Sequence, residues 1–446
     1  MKKALIIILI FMGFSGPLEA QHKPNFIAID TATYRAYLNK DWNRIIKIGK
    51  IGLANHIDYY YLRLRMGYAY YMKKQYRMAV PYYRAALKFS SKDATAMEYL
   101  YYSYLFGDRF NDAEKLTQKF TPALHDYMKV RSSSAITEIS FFATFGTGAS
   151  DAQKESVNQA EALTLDGSQV LPNSFQNYNL NVSHKLSNSV LMHHSLNLLY
   201  KDEYSMAIVN GTSYLSESQV VRQFSYRLAI DITPVQGLTL TPSATYANYR
   251  IPIFYDYGAG LGKNRSVYTY NTHHEGGISL KITQQAGPVS IALAGGYSYL
   301  NFSNQITGAG SLTLYPLGNL NLYVRAAGYY HMQSQNGQKL NQVIQSYKLG
   351  VKVTKNLWLE GYGMLGDFSN LLDPFSGITY NSLELYHSIY GANIYIPFNK
   401  NGVSLFLGYR KYNSTSQFVP VDNVFEGYND ILFNYQTFTG GLIWKL

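Results

Sequence analysis

The feature that most constrains this 446-residue chain is a two-residue alternation that starts after Val130 and continues to Leu446. "YNLNVSHKL" sets Tyr178, Leu180, Val182 and Leu186 on one face and Asn179, Asn181, Ser183 and Lys185 on the other. "FSYRLAIDI" sets Phe224, Tyr226, Leu228, Ile230 and Ile232 against Ser225, Arg227, Ala229 and Asp231. Side chains alternate faces with period two only along extended chain, so these segments are strands. They run longer than the strands of most soluble sheets.

The connections fall into two kinds. Short turns lie near 187–189, 234–237, 284–287, 316–319, 355–356 and 397–402. Connections that are mostly longer and more polar lie near 146–173, 202–218, 250–265, 301–307, 333–341, 367–380 and 413–429. Six short and seven longer joins predict about 14 strands. Regular alternation of short and long joins predicts an antiparallel transmembrane β-barrel over 130–446, with short turns in the periplasm and loops outside. An even strand count leaves both barrel ends on the periplasmic side. The chain holds 43 tyrosines, and several sit near strand ends (Tyr246, Tyr249, Tyr268, Tyr270, Tyr329 and Tyr330), as interfacial girdles require. A mean hydropathy of −0.17 agrees, because a barrel shows its apolar residues on alternate positions only. A soluble β-sandwich would need shorter strands.

The first part of the chain reads differently. Residues 1–20, "MKKALIIILIFMGFSGPLEA", combine Lys2 and Lys3, a short apolar run and small residues, the pattern of a secretory signal. With no cysteine anywhere, a disulfide scaffold and a thiolate zinc site are excluded. Residues 21–129 are expected to be a periplasmic helical domain, with apolar residues three and four apart from Asp30 onward. They carry 18 Lys and Arg against 9 Asp and Glu, whereas 130–446 carries 19 against 18. The basic excess therefore belongs to the helical part. In an exported protein it points to an anionic polymer, a protein partner or a membrane surface, and not to nucleic acid.

A 34-residue period runs through the helices. Gly67, Tyr70, Tyr76, Ala79 and Tyr83 shift to Tyr101, Tyr104, Phe110, Ala113 and Thr117, and Tyr76 shifts back to Trp42. This resembles the tetratricopeptide repeat, with two to three copies forming a short α-solenoid, so the predicted fold class is α + β multidomain. The resemblance implies a concave groove lined by Tyr61, Leu64, Tyr68, Tyr71 and Tyr102. Such a groove would hold an extended peptide or a sugar chain, unless its rings serve only to pack the repeats.

The last residues, "TGGLIWKL", resemble the C-terminal signal by which outer-membrane barrels are recognised for insertion. Thr439, Gly441, Trp444 and Leu446 occupy its polar, glycine and apolar places, with Leu in place of the commoner Phe. The resemblance implies outer-membrane lipid and the barrel-assembly machinery as partners. Outer-membrane lipid hydrolases place a His-x-Ser on a strand, and "LMHHSLNLLY" offers His193 and Ser195. That face is expected to look into the lumen, however, and the family's orienting residue is replaced by Ala207. His273 and His274 fall on opposite faces of one strand and do not make a bidentate metal site. "GAGLGK" at 258–263 lacks the full spacing of a phosphate loop. No cofactor is expected. The residues expected to line the pore are Lys185, Lys201, Arg227, Asp231, Glu275, Lys281, Arg325, Lys348, Lys352, Glu360, Glu384 and Arg410, with Glu275 paired to Lys281 or Arg227. Helical repeats before an outer-membrane barrel resemble exopolysaccharide-export proteins in architecture. The expectation is a non-enzymatic outer-membrane pore or translocon component, with a closed-lumen anchor as the alternative.

Overall fold

The computed structural model describes residues 25–130, 135–158, 165–256, 266–335, 337–398, 402–421 and 427–446. The leader at 1–20 and the glycine-rich stretch at 258–263 lie outside them. Seven helices come first: α1 (Phe26–Leu38), α2 (Trp42–Ala54), α3 (Tyr60–Met72), α4 (Tyr76–Phe89), α5 (Ala94–Phe106), α6 (Phe110–Thr117) and α7 (Pro122–Met128). Among the described residues helical structure begins at Phe26, four residues before the apolar spacing becomes legible.

Local chemistry sets the helix starts. Asn25, Asp41, Asp93 and Thr121 each accept a hydrogen bond from the backbone N–H three residues on, satisfying a donor that the helix leaves free. The odd helices α1, α3 and α5 begin 34 residues apart, as do α2, α4 and α6. Each pair turns on a left-handed residue at the same place, Lys40, Lys74 and Asp108. Leu62, Met66, Ala69 and Tyr70 give α3 its buried face. A Cβ on Gly67 would stand 2.9 Å from the Tyr83 ring, so glycine lets α4 pack against α3.

The rest of the described chain is a closed antiparallel barrel. Its strands are β1 (Ile136–Thr147), β2 (Gly167–Ser187), β3 (Val190–Val209), β4 (Thr212–Val235), β5 (Leu238–Asp256), β6 (Ser266–Ala286) and β7 (Val289–Leu300). Then follow β8 (Ser303–Leu314), β9 (Leu322–Gln335), β10 (Gln338–Thr354), β11 (Leu357–Leu372), β12 (Thr379–Phe398), β13 (Val403–Pro420) and β14 (Tyr428–Lys445). Each pairs with its neighbour in sequence, and β14 closes on β1, with Trp444 opposite Ile139. A short helix, α8 (Asp151–Asn158), lies in the β1–β2 connection. The outward face is apolar: Ile278, Leu280 and Ile282 on β6 and Tyr347, Leu349, Val351 and Val353 on β10 are exposed, while the residues between them turn inward.

The two rims differ. The end that carries the chain termini of the barrel, here the mouth, has the short turns that the sequence predicts. Three of the loops expected at the far end are strand. The connections at 202–218, 301–307 and 333–341 are not loops, because the strands run on. β3 and β4 meet at Asn210 and Gly211, both left-handed, and β7 and β8 meet at Asn301 and Phe302, also left-handed. Left-handed pairs suit the twist of a two-residue hairpin. The polar alternation in these stretches belongs to strand. Tyr204, Met206 and Ile208 are buried on alternate residues of β3.

Candidate functional site

The mouth is capped by the helices, and the cap is built from charge. On α4, the buried Arg77 donates from Nε to Gly107 O (2.7 Å) and from Nη2 to Gln285 Oε1 (2.9 Å), and lies 3.5 Å over the Tyr315 ring. On α6, Asp112 accepts from Gly237 N (2.6 Å) and from Arg109 Nε (2.7 Å). Lys115 Nζ donates to Thr233 O (2.7 Å), Tyr104 Oη to Gln236 (3.1 Å), and Asn319 Nδ2 to Lys74 O (2.7 Å). Glu114 pairs with Lys185, which reaches it from inside the barrel. The helices thus hold the β2–β3, β4–β5, β6–β7 and β8–β9 turns. Burial pushes the Arg77 guanidinium below its ordinary pKa and the Asp108 carboxyl above its own, the latter drawn back in part by Arg77 and Lys445.

All twelve charged residues expected in the lumen face the barrel interior, on strands whose alternate residues form the exposed apolar face. Several are locked in pairs. Lys201 bonds Glu384 (2.6 Å) and Glu203 (3.0 Å); Lys348 bonds Glu360 (3.1 Å); Arg410 Nε donates to Tyr362 Oη (2.5 Å). Lys352 lies 5.3 Å over the Trp358 ring. Glu275 does not pair with Lys281 or Arg227. It accepts from Asn301 N (2.7 Å) and from the Asn381 amide instead, because the far-end turn and β12 reach it first.

Toward the far end the interior is filled. β11 bulges twice between Leu365 and Asn370, at Gly366, and leans inward. Phe368, Leu371, Leu171 and Phe418 are fully buried there, and beside them Tyr412 stacks on Tyr435 and meets Tyr386 at a tilt. β2 crosses to pair with β13 at Val419 and Pro420. The β11–β12 connection, expected outside, instead folds into the lumen. Phe375 lies 5.6 Å from the Tyr329 ring and 4.6 Å from the Arg325 guanidinium, and Gly377 rests on Arg227. Phe375, Gly377 and Asp373 are functional candidates that sequence alone did not pick out; the glycine and proline around Asp373 mark a turn but not its direction.

His193 does not face Ser195. Its Nδ1 meets Ser183 Oγ (2.8 Å) and its Nε2 meets Asp231 Oδ2 (3.4 Å), while Ser195 Oγ accepts from Asn179 (3.0 Å). One residue pair across β2 and β3 explains this, because His193 lies directly opposite Ser183. His273 turns inward toward Phe302, and His274 turns outward to Tyr246 (2.7 Å), as alternation requires.

On the helices, Tyr61 is exposed, whereas Leu64, Tyr68, Tyr71 and Tyr102 are half-buried. Tyr68 packs edge-on between Trp42 (5.6 Å) and Tyr99 (5.2 Å), Tyr71 meets Tyr99 (5.0 Å), and Tyr102 stacks on Phe106 (6.0 Å). Tyr68 and Tyr71 thus join neighbouring helices, whereas Tyr102 contacts rings of its own helix. At the barrel seam Thr439 bonds Thr144 (2.8 Å), Gly441 makes room for Phe142, and Trp444 and Leu446 are exposed.

No protein-family profile matches the chain, and no curated protein matches it. Among solved structures it is similar to the Pseudomonas putida toluene transporter TodX, at 9% identity and a TM-score of 0.43, covering 70% of this chain and 89% of that one. A Pseudomonas aeruginosa FadL homologue gives 8% and 0.41, covering 69% and 90%. The translocator domain of autotransporter NalP from Neisseria meningitidis gives 10% and 0.31, covering 77% and 99%. Likeness at this level reaches no further than the form of the barrel.

Proposed function

We propose that this chain is an outer-membrane pore or translocon component whose lumen is closed at rest, with its helical domain in the periplasm. The observation that carries the reading is the short segment between β11 and β12, which is folded inside a lumen walled by polar and charged residues. An exposed apolar belt around such a wall suits a lipid-embedded cylinder with a wet interior. A barrel that serves only as an anchor has no need of unpaired interior cations. Planar-bilayer recording of purified full-length protein tests the reading: discrete conductance steps are expected, and a flat trace at every voltage would sink it.

The anchor reading is favoured by one observation, the aromatic packing that fills the far end. Under either reading, the helical pairs act as tetratricopeptide-like repeats and offer the edge of their tyrosine row to a periplasmic protein or anionic polymer. Replacing Tyr61, Tyr68 and Tyr71 with Ala is expected to reduce capture of that partner. Hydrolysis by His193 and Ser195 is not part of this proposal, because the two side chains do not meet.

A further inference from the structure

Three interior cations lie on neighbouring parts of the wall. Arg227 on β4, Lys281 on β6 and Arg325 on β9 all face the lumen, and Lys281 lies within electrostatic range of both arginines. Among the described residues, none of the three has an ion pair or a hydrogen bond. The Arg227 Nε is buried and has no partner. The carboxylates near them are already engaged. Asp231 accepts from Thr241 Oγ1 (2.6 Å) and Asn111 Nδ2 (3.3 Å) and meets His193; Asp373 accepts from Phe375 N (2.9 Å) and Ser376 Oγ (2.5 Å) within its own turn. Both carboxylates lie within electrostatic range of Arg227 and Lys281, so three cations against two carboxylates leave an excess of one positive charge, whose donors are not taken up by those carboxylates. The inward segment roofs this site, with Phe375 against Arg325 and Gly377 against Arg227.

We propose that Arg227, Lys281 and Arg325 bind a polyvalent oxyanion, the phosphate or polycarboxylate group of a small solute. The inference rests on the pore reading and names the class of solute that would pass. Two guanidiniums and an ammonium supply a fork-shaped donor set suited to several oxygens at once. The roof sits on the same two arginines, so an anion bound to them competes with the contacts that hold the segment inward.

Calorimetry on detergent-solubilised full-length protein at low salt, titrated with inorganic pyrophosphate, tests this. The wild type is expected to bind, and the triple variant Arg227→Gln, Lys281→Gln, Arg325→Gln to weaken binding by at least about tenfold. A control with Lys339→Gln and Lys355→Gln, exposed lysines at strand ends, is expected to bind as the wild type does. Should the triple variant misfold, Gly377→Ala serves in its place, since a Cβ there overlaps Arg227. Absence of wild-type binding, or equal binding by the triple variant, overturns the proposal. Binding without conductance would keep the site and remove the pore, and conductance without binding would do the reverse.

Discussion

The two ends of the barrel are closed by opposite chemistries. At the mouth, Arg77, Arg109 and Asp112 are almost wholly buried, and each is held by hydrogen bonds to fixed backbone or side-chain atoms. At the far end the closure is made mostly of rings, with Phe368, Tyr386, Tyr412 and Tyr435 against bent strands and a buried ion pair, Lys201 with Glu384, beside them. A buried charge tolerates one arrangement, because any other leaves it unpaired. Stacked rings lose little when they slide past one another, since dispersion has weak directionality. The mouth is therefore the fixed end, and the far end is the one able to rearrange. This places the gate of the proposed pore opposite its helical cap.

The most disruptive way to break that comparison is to remove the roof. Replacing residues 373–378 with a two-residue Asn-Gly turn is expected to raise single-channel conductance by on the order of tenfold, because such a turn joins two strands with nothing left over to fold inward. An unchanged trace would mean that the ring packing alone closes the lumen, and would favour the anchor.

The next largest effect belongs to the mouth. Arg77→Ala leaves Gly107 O and Gln285 without their donor in a buried interface, at a cost of about 3 kcal/mol. Faster hydrogen exchange in α4 to α6 with unaltered exchange in the strands is the expected readout. A double-mutant cycle with Gln285→Ala isolates the pair, and additive effects would refute the coupling.

A smaller effect tests the bend at the far end. Gly366 has φ +130° and faces Val343 O at 2.6 Å from the position of a Cβ, so Gly366→Ala strains the bulge that tilts β11 inward. A loss of about 1–3 kcal/mol is expected. Thermal unfolding of the barrel should fall while exchange in the helices stays as it was; loosening of both would show that the two ends are coupled.

These differences also explain how much of the molecule the sequence reveals. Period-two patterning gives the barrel, its strand number and the inward set of charges, because which face a residue takes depends only on its neighbours two places away. Polar composition assigns 202–218 to a loop, although Asn210-Gly211 within it is the dipeptide that a two-residue hairpin uses. The inward turn at Asp373 was not legible, since it depends on bulges in β11 whose partners lie on β10 and β12. Nor was the role of Arg77, whose partners Gln285 and Tyr315 lie more than two hundred residues away in the chain. His193 illustrates the same limit at short range: sequence spacing offers Ser195, but the strand register delivers Ser183.

The smallest predicted effect separates the ends by pH. Partial burial pushes the Asp30 carboxyl up, but hydrogen bonds from Arg65 Nη1 (2.7 Å) and Tyr59 Oη (2.9 Å), with the arginine charge, hold it below its usual range. A carboxylate depressed in the folded state adds stability at pH values above its unfolded pKa, near 4, and loses it as pH falls through the folded value. Acidification below about pH 4 is therefore expected to loosen α1 from α3 first, read as hydrogen exchange at Ile29 and Leu62. Asp30→Asn should abolish that acid sensitivity, because it leaves no carboxylate to titrate. If α1 in the variant loosens over the same pH range as the wild type, the Arg65–Asp30 pair is not what holds the first helix.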